Sequence, residues 1–107
     1  METLKEKDIL KACLDYLAYS KAGELWRQNS GAMVSEYHGK KRFMRFGKTG
    51  CADITGILKD GRRVEIEVKG PGGKQSPAQK EFQIMIEKNH GLYILVTSVN
   101  DLIERSF

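Results

Sequence analysis

The stretch Arg62 to Gly70, reading R-R-V-E-I-E-V-K-G, constrains this chain more than any other. Val64, Ile66 and Val68 alternate there with Glu65, Glu67 and Lys69. Successive side chains of a strand point to opposite faces. Three β-branched residues therefore take one face, and two carboxylates and an ammonium take the other. The apolar set calls for helices packed over it, whereas the charged set lines up as the edge of a site. Upstream, Asp53-Ile54-Thr55-Gly56-Ile57-Leu58 reads as a second apolar strand opened by an acid. The intervening Lys59-Asp60-Gly61 suits a tight hairpin, because Asp-Gly readily supplies positive φ. Such an antiparallel pair brings Asp53 close to Glu67.

The rest of the chain supplies the cover. Residues 3–22 read as an amphipathic helix, with Thr3 and Glu6 at capping-box spacing and Ile9, Leu10, Cys13, Leu14 and Leu17 in one apolar stripe. Glu6 projects from that stripe. It serves either the helix N-terminus and its dipole or a polar site inward of it. Gly23 suits the helix end. Residues 24–31 read as a strand running into a turn, with Trp26 and Gln28 on one face and Leu25, Arg27 and Asn29 on the other. Residues 32–39 show no clear pattern, and Tyr37, His38 and Gly39 suggest a loop or a frayed strand end. Lys40 to Phe46 is a further strand, in which Lys40, Lys41, Arg42 and Arg45 interleave with aromatic residues, and Lys48 follows in a turn. That cluster suits either a phosphate-tracking surface with stacking platforms or an edge strand protected by its charges.

After Lys69 comes Gly70-Pro71-Gly72-Gly73-Lys74, which fails the phosphate-loop pattern. Val68 stands where its first glycine belongs, and Gln75 follows the lysine in place of Ser or Thr. No nucleotide cofactor is expected; the glycines instead let backbone approach a ligand, and Lys74 joins the candidate nucleic-acid contacts. Ser76-Pro77-Ala78-Gln79 opens a helix to about Asn89, with Ser76 as N-cap, Pro77 at the first helical position and Gln79 completing a capping box. Gln79 serves that cap or points back at the preceding strand. The apolar run Gly91 to Thr97 reads as a fully buried strand, parallel to its predecessor through the intervening helix. Val99 to Arg105 closes as a short helix. The expected architecture is α/β: a mixed sheet flanked by helices, in the approximate order αβββαβα.

At 107 residues the chain is expected to form one domain, residues 1–107, with an apolar fraction of 40% sufficient for one core. A net charge of +4 permits a nucleic-acid partner without demanding one. Cys13 and Cys51 lack metal spacing and read as two reduced thiols of a cytoplasmic protein. No signal peptide and no membrane-spanning run is expected. His38 and His90 receive no role. Tyr37, Phe43, Met44 and Phe46 are candidates for a contact between copies.

Phosphodiester hydrolysis needs a metal held by hard oxygen ligands, an oriented attacking water and neutralisation of charge developing on phosphorus. Asp53 and Glu67 suit Mg²⁺, with the backbone carbonyl of Val68 as a third ligand. Lys69 suits water positioning or transition-state stabilisation. An E-x-K alone carries almost no information. The alternative for Glu67 and Lys69 is a solvated strand face with a weak ion pair.

The combination of Gly50-x-x-Asp53, Glu67-Val68-Lys69-Gly70 and Ser76-Pro77-x-Gln79-x-x-Phe82 resembles the virus-type replication-repair nuclease (VRR-NUC) family of the PD-(D/E)xK superfamily. The segment Arg27-Gln28-Asn29-Ser30-Gly31 resembles that family's R-x-N-x-G stretch. The likeness covers nearly the whole chain, although Ala52 replaces the usual Pro before the first acid. It implies a restriction-endonuclease-like core, metal ligands at Asp53 and Glu67, a catalytic lysine at Lys69, an active-site glutamine at Gln79 and a site role for Glu6, including metal contact. It also implies DNA contacts at Arg27 and Asn29. The implied activity is Mg²⁺-dependent DNA endonuclease cleavage, with Mn²⁺ substituting, by a viral or bacterial homodimer acting on branched DNA such as four-way junctions. Cleavage of flaps or linear duplex is the nearest rival. A non-catalytic nucleic-acid-binding module and a structural or oligomerisation domain are the readings from other classes.

Overall fold

The computed structural model of the chain describes residues 5–28, 31–37, 39–46 and 48–107, with backbone alone for 31–37 and 41–46. The order is α1 (Glu6–Tyr19), β1 (Gly23–Arg27), β2 (Gly31–Tyr37), β3 (Lys40–Phe46), β4 (Ile54–Leu58), β5 (Arg63–Val68), α2 (Pro77–Lys88), β6 (Leu92–Val96) and α3 (Val99–Glu104). A four-stranded open sheet runs β1-β4-β5-β6, and β2-β3 form a separate two-stranded sheet. The first two neighbour pairs of the larger sheet are antiparallel. The last, β5 with β6, is parallel, as a strand–helix–strand unit requires. The architecture is therefore α/β with a mixed sheet.

The β4–β5 hairpin closes through Gly61, at φ +91°, where a residue with a Cβ would be strained. Asp60 locks the turn by accepting from the Arg62 N–H at 3.0 Å. The alternation read in β5 holds. Val64, Ile66 and Val68 are 0% exposed and join Ile54, Ile94 and Val96 in a core beneath α1 and α3, which contribute Ile9, Cys13, Leu17 and Leu102. Each such burial stabilises the fold by about 1.5–3 kcal/mol. On the other face Phe82 and Ile86 of α2 pack with Cys51, Ala52 and Tyr93. The two free cysteines are buried on opposite sides of the sheet.

Several expectations are corrected. The stretch without a clear sequence pattern is a strand, because Gly31–Tyr37 pairs with β3 through its whole length; Gly39 lies in a turn at φ +74°, and His38 lies outside the described residues. β3 matches the strand read over Lys40–Phe46, so β2 is the added strand, and the two form a hairpin. Helix α1 is shorter than expected, starting after Lys5 and ending at Tyr19, so Gly23 opens β1 rather than closing the helix. Lys5 is the N-cap and makes no side-chain cap bond; the expected Thr3–Glu6 capping box involves Thr3, which lies outside the described residues. Strand β6 is not fully buried, because Leu95 is 44% exposed where α2 leaves the sheet uncovered. Among the described residues no helix is long and apolar enough to cross a membrane.

Candidate active site

Register brings the acids together. Ile54 faces Ile66 across β4–β5, which places Asp53, one residue before β4, beside Glu67 and Val68. The Asp53 carboxylate accepts from the Val68 N–H at 2.8 Å, and its backbone carbonyl accepts from the Gln28 N–H at 2.7 Å. Asp53 is thus stitched to strands on both sides. The chain reaches it through a turn at Gly50, φ +77°, where an added Cβ would lie 2.3 Å from the Ala78 carbonyl oxygen. Only glycine lets this turn pack against the start of α2. The N–H and C=O of one extended residue point to the same strand edge, so the Val68 carbonyl also faces the Asp53 side.

Glu67 is 2% exposed. Its Oε1 accepts from Gln79 Nε2 at 3.0 Å and lies 3.7 Å from Lys69 Nζ. Its Oε2 is buried without a hydrogen-bond partner among the described residues. Burial, then the charge of Asp53, pushes its pKa up to about 8, against the opposing pull of Lys69. This is not a solvated strand face, and the surface ion-pair alternative fails for Glu67. A buried carboxyl group with an empty acceptor atom, beside a second carboxylate, is short of positive charge.

Gln79 does both things that its position allowed. Its Oε1 accepts from the Ser76 N–H at 2.8 Å while the Gln79 N–H donates to Ser76 Oγ, completing the capping box. Its Nε2 meanwhile reaches Glu67. Glu6 lies in the first turn of α1 and stands at the rim, where its Oε2 faces the Gly70 N–H at 3.4 Å. Its charge contributes least among the influences on Glu67.

Among the described residues no three His, Cys, Asp or Glu side chains gather closely enough to hold a metal by themselves. The donor set is two carboxylates and a backbone carbonyl. That set fits Mg²⁺, which keeps several waters and takes one or two carboxylates, better than a closed tetrahedral zinc site. The partnerless Glu67 Oε2 is the atom that such a cation would satisfy.

The basic candidates are more scattered. Lys40, Lys48 and Lys74 are exposed. Lys48 borders a groove of about 250 Å³ with Thr49, Ala78 and Glu81 at the start of α2. Arg27 is exposed, but alternation puts it with Leu25 on the face away from Glu67. Asn29 lies outside the described residues, as do the side chains of Lys41, Arg42 and Arg45 and those of Tyr37, Phe43, Met44 and Phe46.

Sequence reading missed Glu65. It is 0% exposed, accepts from Thr55 Oγ1 at 2.7 Å and pairs with Arg63 Nε, while its Oε2 has no partner among the described residues. The signal was available: Arg63 lies two residues away on the same face, and Thr55 is the cross-strand partner. Under α2, Gln75 donates to Gln83 at 3.0 Å and to the Tyr93 hydroxyl at 3.2 Å, a polar layer equally hidden in the sequence.

No family model matches this chain, and no curated protein sequence matches it significantly.

Proposed function

We propose that this chain is a metal-dependent DNA endonuclease with a PD-(D/E)xK core of the VRR-NUC type, cutting branched DNA such as four-way junctions. The observation that carries this reading is the gathering of Asp53, Lys69 and Gln79 about the buried Glu67 carboxyl group, whose second oxygen has no hydrogen-bond partner among the described residues, with Glu6 at the rim. The sheet order supports it as well: the acid-bearing hairpin β4–β5 is followed by a helix and a parallel strand.

In this reading Asp53, Glu67 and the Val68 carbonyl hold Mg²⁺, for which Mn²⁺ substitutes. A bound divalent cation supplies a Lewis acid for the phosphoryl oxygens. Lys69 brings an ammonium to within 3.7 Å of Glu67, where it orients the attacking water and offsets charge growing on phosphorus. Gln79 fixes the direction of the Glu67 carboxylate. Lys40, Lys48 and Lys74 contribute to the attraction of the DNA backbone, and a net charge of +4 favours that encounter. Two symmetric cuts in a junction require two copies, hence a homodimer. The two buried free thiols suit a reducing cytoplasm.

The test is cleavage of a labelled four-way junction, beside flap and linear duplex, with Mg²⁺ or Mn²⁺. Lys69→Ala is expected to lower the cleavage rate by about 100-fold or more while junction binding persists. Cutting of flaps or duplex instead would keep the nuclease and remove the junction. DNA binding without cutting of any substrate, in wild type with either metal, would make this a binding module.

A further inference from the structure

Helix α2 covers only part of its sheet face. It packs against β6, and among the described residues the β1–β4 half of that face is left with Trp26 and Ile57 exposed. Cross-strand register puts Trp26, Thr55 and Glu65 in one row, and the Thr55–Glu65 hydrogen bond fixes that row to the Glu67 face. The next row holds Glu24, Ile57 and Arg63. Trp26 is 55% exposed and Ile57 48%, on a sheet rather than on a loop. Between them runs a groove of about 370 Å³ lined by Trp26, Thr55, Gly56, Ile57, Gly61 and Arg63.

Arg63 is the informative member. Its side chain is 58% exposed, yet its Nε is tied to Glu65, which is 0% exposed. A buried carboxylate held by Thr55 thus aims an exposed guanidinium whose remaining N–H groups have no partner among the described residues. An arginine held this way loses less freedom on meeting a phosphate than a free one does. The same groove is bordered by the ring of Trp26, which has no aromatic partner among the described residues. The groove has the volume of a small ligand site, and it opens on the face that carries Asp53 and Glu67. Trp26 sits one strand over and two residues along from Asp53, roughly 8 Å by strand geometry.

We propose that this groove is a nucleotide subsite for a single strand of nucleic acid, in which one base stacks on Trp26 and a neighbouring phosphate is taken by Arg63. The assignment rests on the nuclease reading for its purpose, since it would hold an unpaired segment on the side of the acids away from α2. Charge complementarity selects this occupant over a second copy of the chain: the groove pairs a fixed cation with an aromatic face, the two elements that bind successive phosphates and bases. Glu24, at the outer end of the second row, marks the limit of the strand path.

Trp26 is the only tryptophan, so its fluorescence reports on the groove alone. The experiment titrates a short end-labelled oligothymidylate into the full chain in EDTA, where no cutting occurs. It follows tryptophan emission and label anisotropy together. Saturable quenching in step with the anisotropy is expected. Trp26→Ala should weaken binding about tenfold or more, and Trp26→Phe should retain most of the affinity. Arg63→Gln should weaken binding and flatten its salt dependence by about one ion. Circular dichroism confirms that the variants are folded, and Trp26→Phe keeps the test valid if Trp26→Ala is not.

Binding with unchanged emission and unchanged affinity in Trp26→Ala would overturn the subsite, as would no binding by wild type. A dimer in light scattering that Trp26→Ala dissociates would overturn it too, by assigning the groove to a second copy. The nuclease reading fails separately, in the cleavage assay with metal. Cutting without quenching removes only the subsite, and quenching without cutting removes only the nuclease.

Discussion

The two faces of β5 are equally dry and chemically opposite. Under α1, Val64, Ile66 and Val68 are 0% exposed; under α2, Glu65 and Glu67 are 0% and 2% exposed. A single strand therefore buries aliphatic groups on one side and carboxyl groups on the other to the same depth. The aliphatic face stabilises the fold outright, by area removed from water. The carboxyl face costs stability, and each acid there is kept by specific donors: Thr55 and Arg63 for Glu65, Gln79 and Lys69 for Glu67. The lesson is that burial alone does not mark a core. A strand can lean on one face for stability and thereby hold a reactive group out of water on the other.

That contrast can be broken by substitution. The largest effect belongs to the aliphatic face: Ile66→Ala should lower unfolding free energy by about 2–5 kcal/mol in urea denaturation, through lost burial plus a cavity. Next comes pH. Glu67 has a folded pKa near 8 against 4.5 unfolded, so the folded state binds the extra proton between those values. Stability without metal should therefore fall as pH rises from about 4.5 to about 8, with a slope of at most about 1.4 kcal/mol per pH unit. Glu67→Gln should remove that slope, and Mg²⁺ should raise the melting temperature more at pH 8 than at pH 5. A melting temperature that ignores both pH and Glu67→Gln would show the acid face to be inert.

Thr55→Val should cost about 1–3 kcal/mol by withdrawing a donor from a buried carboxylate. It should leave Mg²⁺ binding by calorimetry unchanged, separating the two acids of the face. The smallest effect is Ser76→Ala, about 1 kcal/mol by thermal melting, from loss of the α2 cap.

The acid site was legible because it follows short rules. Alternation put Glu67 and Lys69 on one face, an Asp-Gly turn set the register of Asp53, and Ser76-Pro77 marked the start of α2. What escaped depends on partners distant in sequence. β2, with Gly31, Ala32 and Ser35, has weak strand propensity of its own and forms by pairing with β3. The exposure of Leu95 depends on how far α2 reaches across the sheet, which an unbroken apolar run cannot encode. Glu65 received no role of its own because its partner Thr55 is unremarkable until the strands are paired. Glu6 was ambiguous between cap and site, and it lies where α1 begins and the loop after β5 passes.

The bridging amide of Gln79 leaves that position almost no vocabulary. One end must offer an oxygen to the Ser76 N–H, and the other must offer an N–H to Glu67. Asparagine is a methylene too short to reach both, glutamate keeps the acceptor for Ser76 but has no N–H to offer Glu67, and leucine answers neither. Flipping the amide end for end would misplace donor and acceptor together. The first turn of α2 and the carboxylate below it are thus written with one letter, and a library scanning position 79 should return glutamine nearly alone.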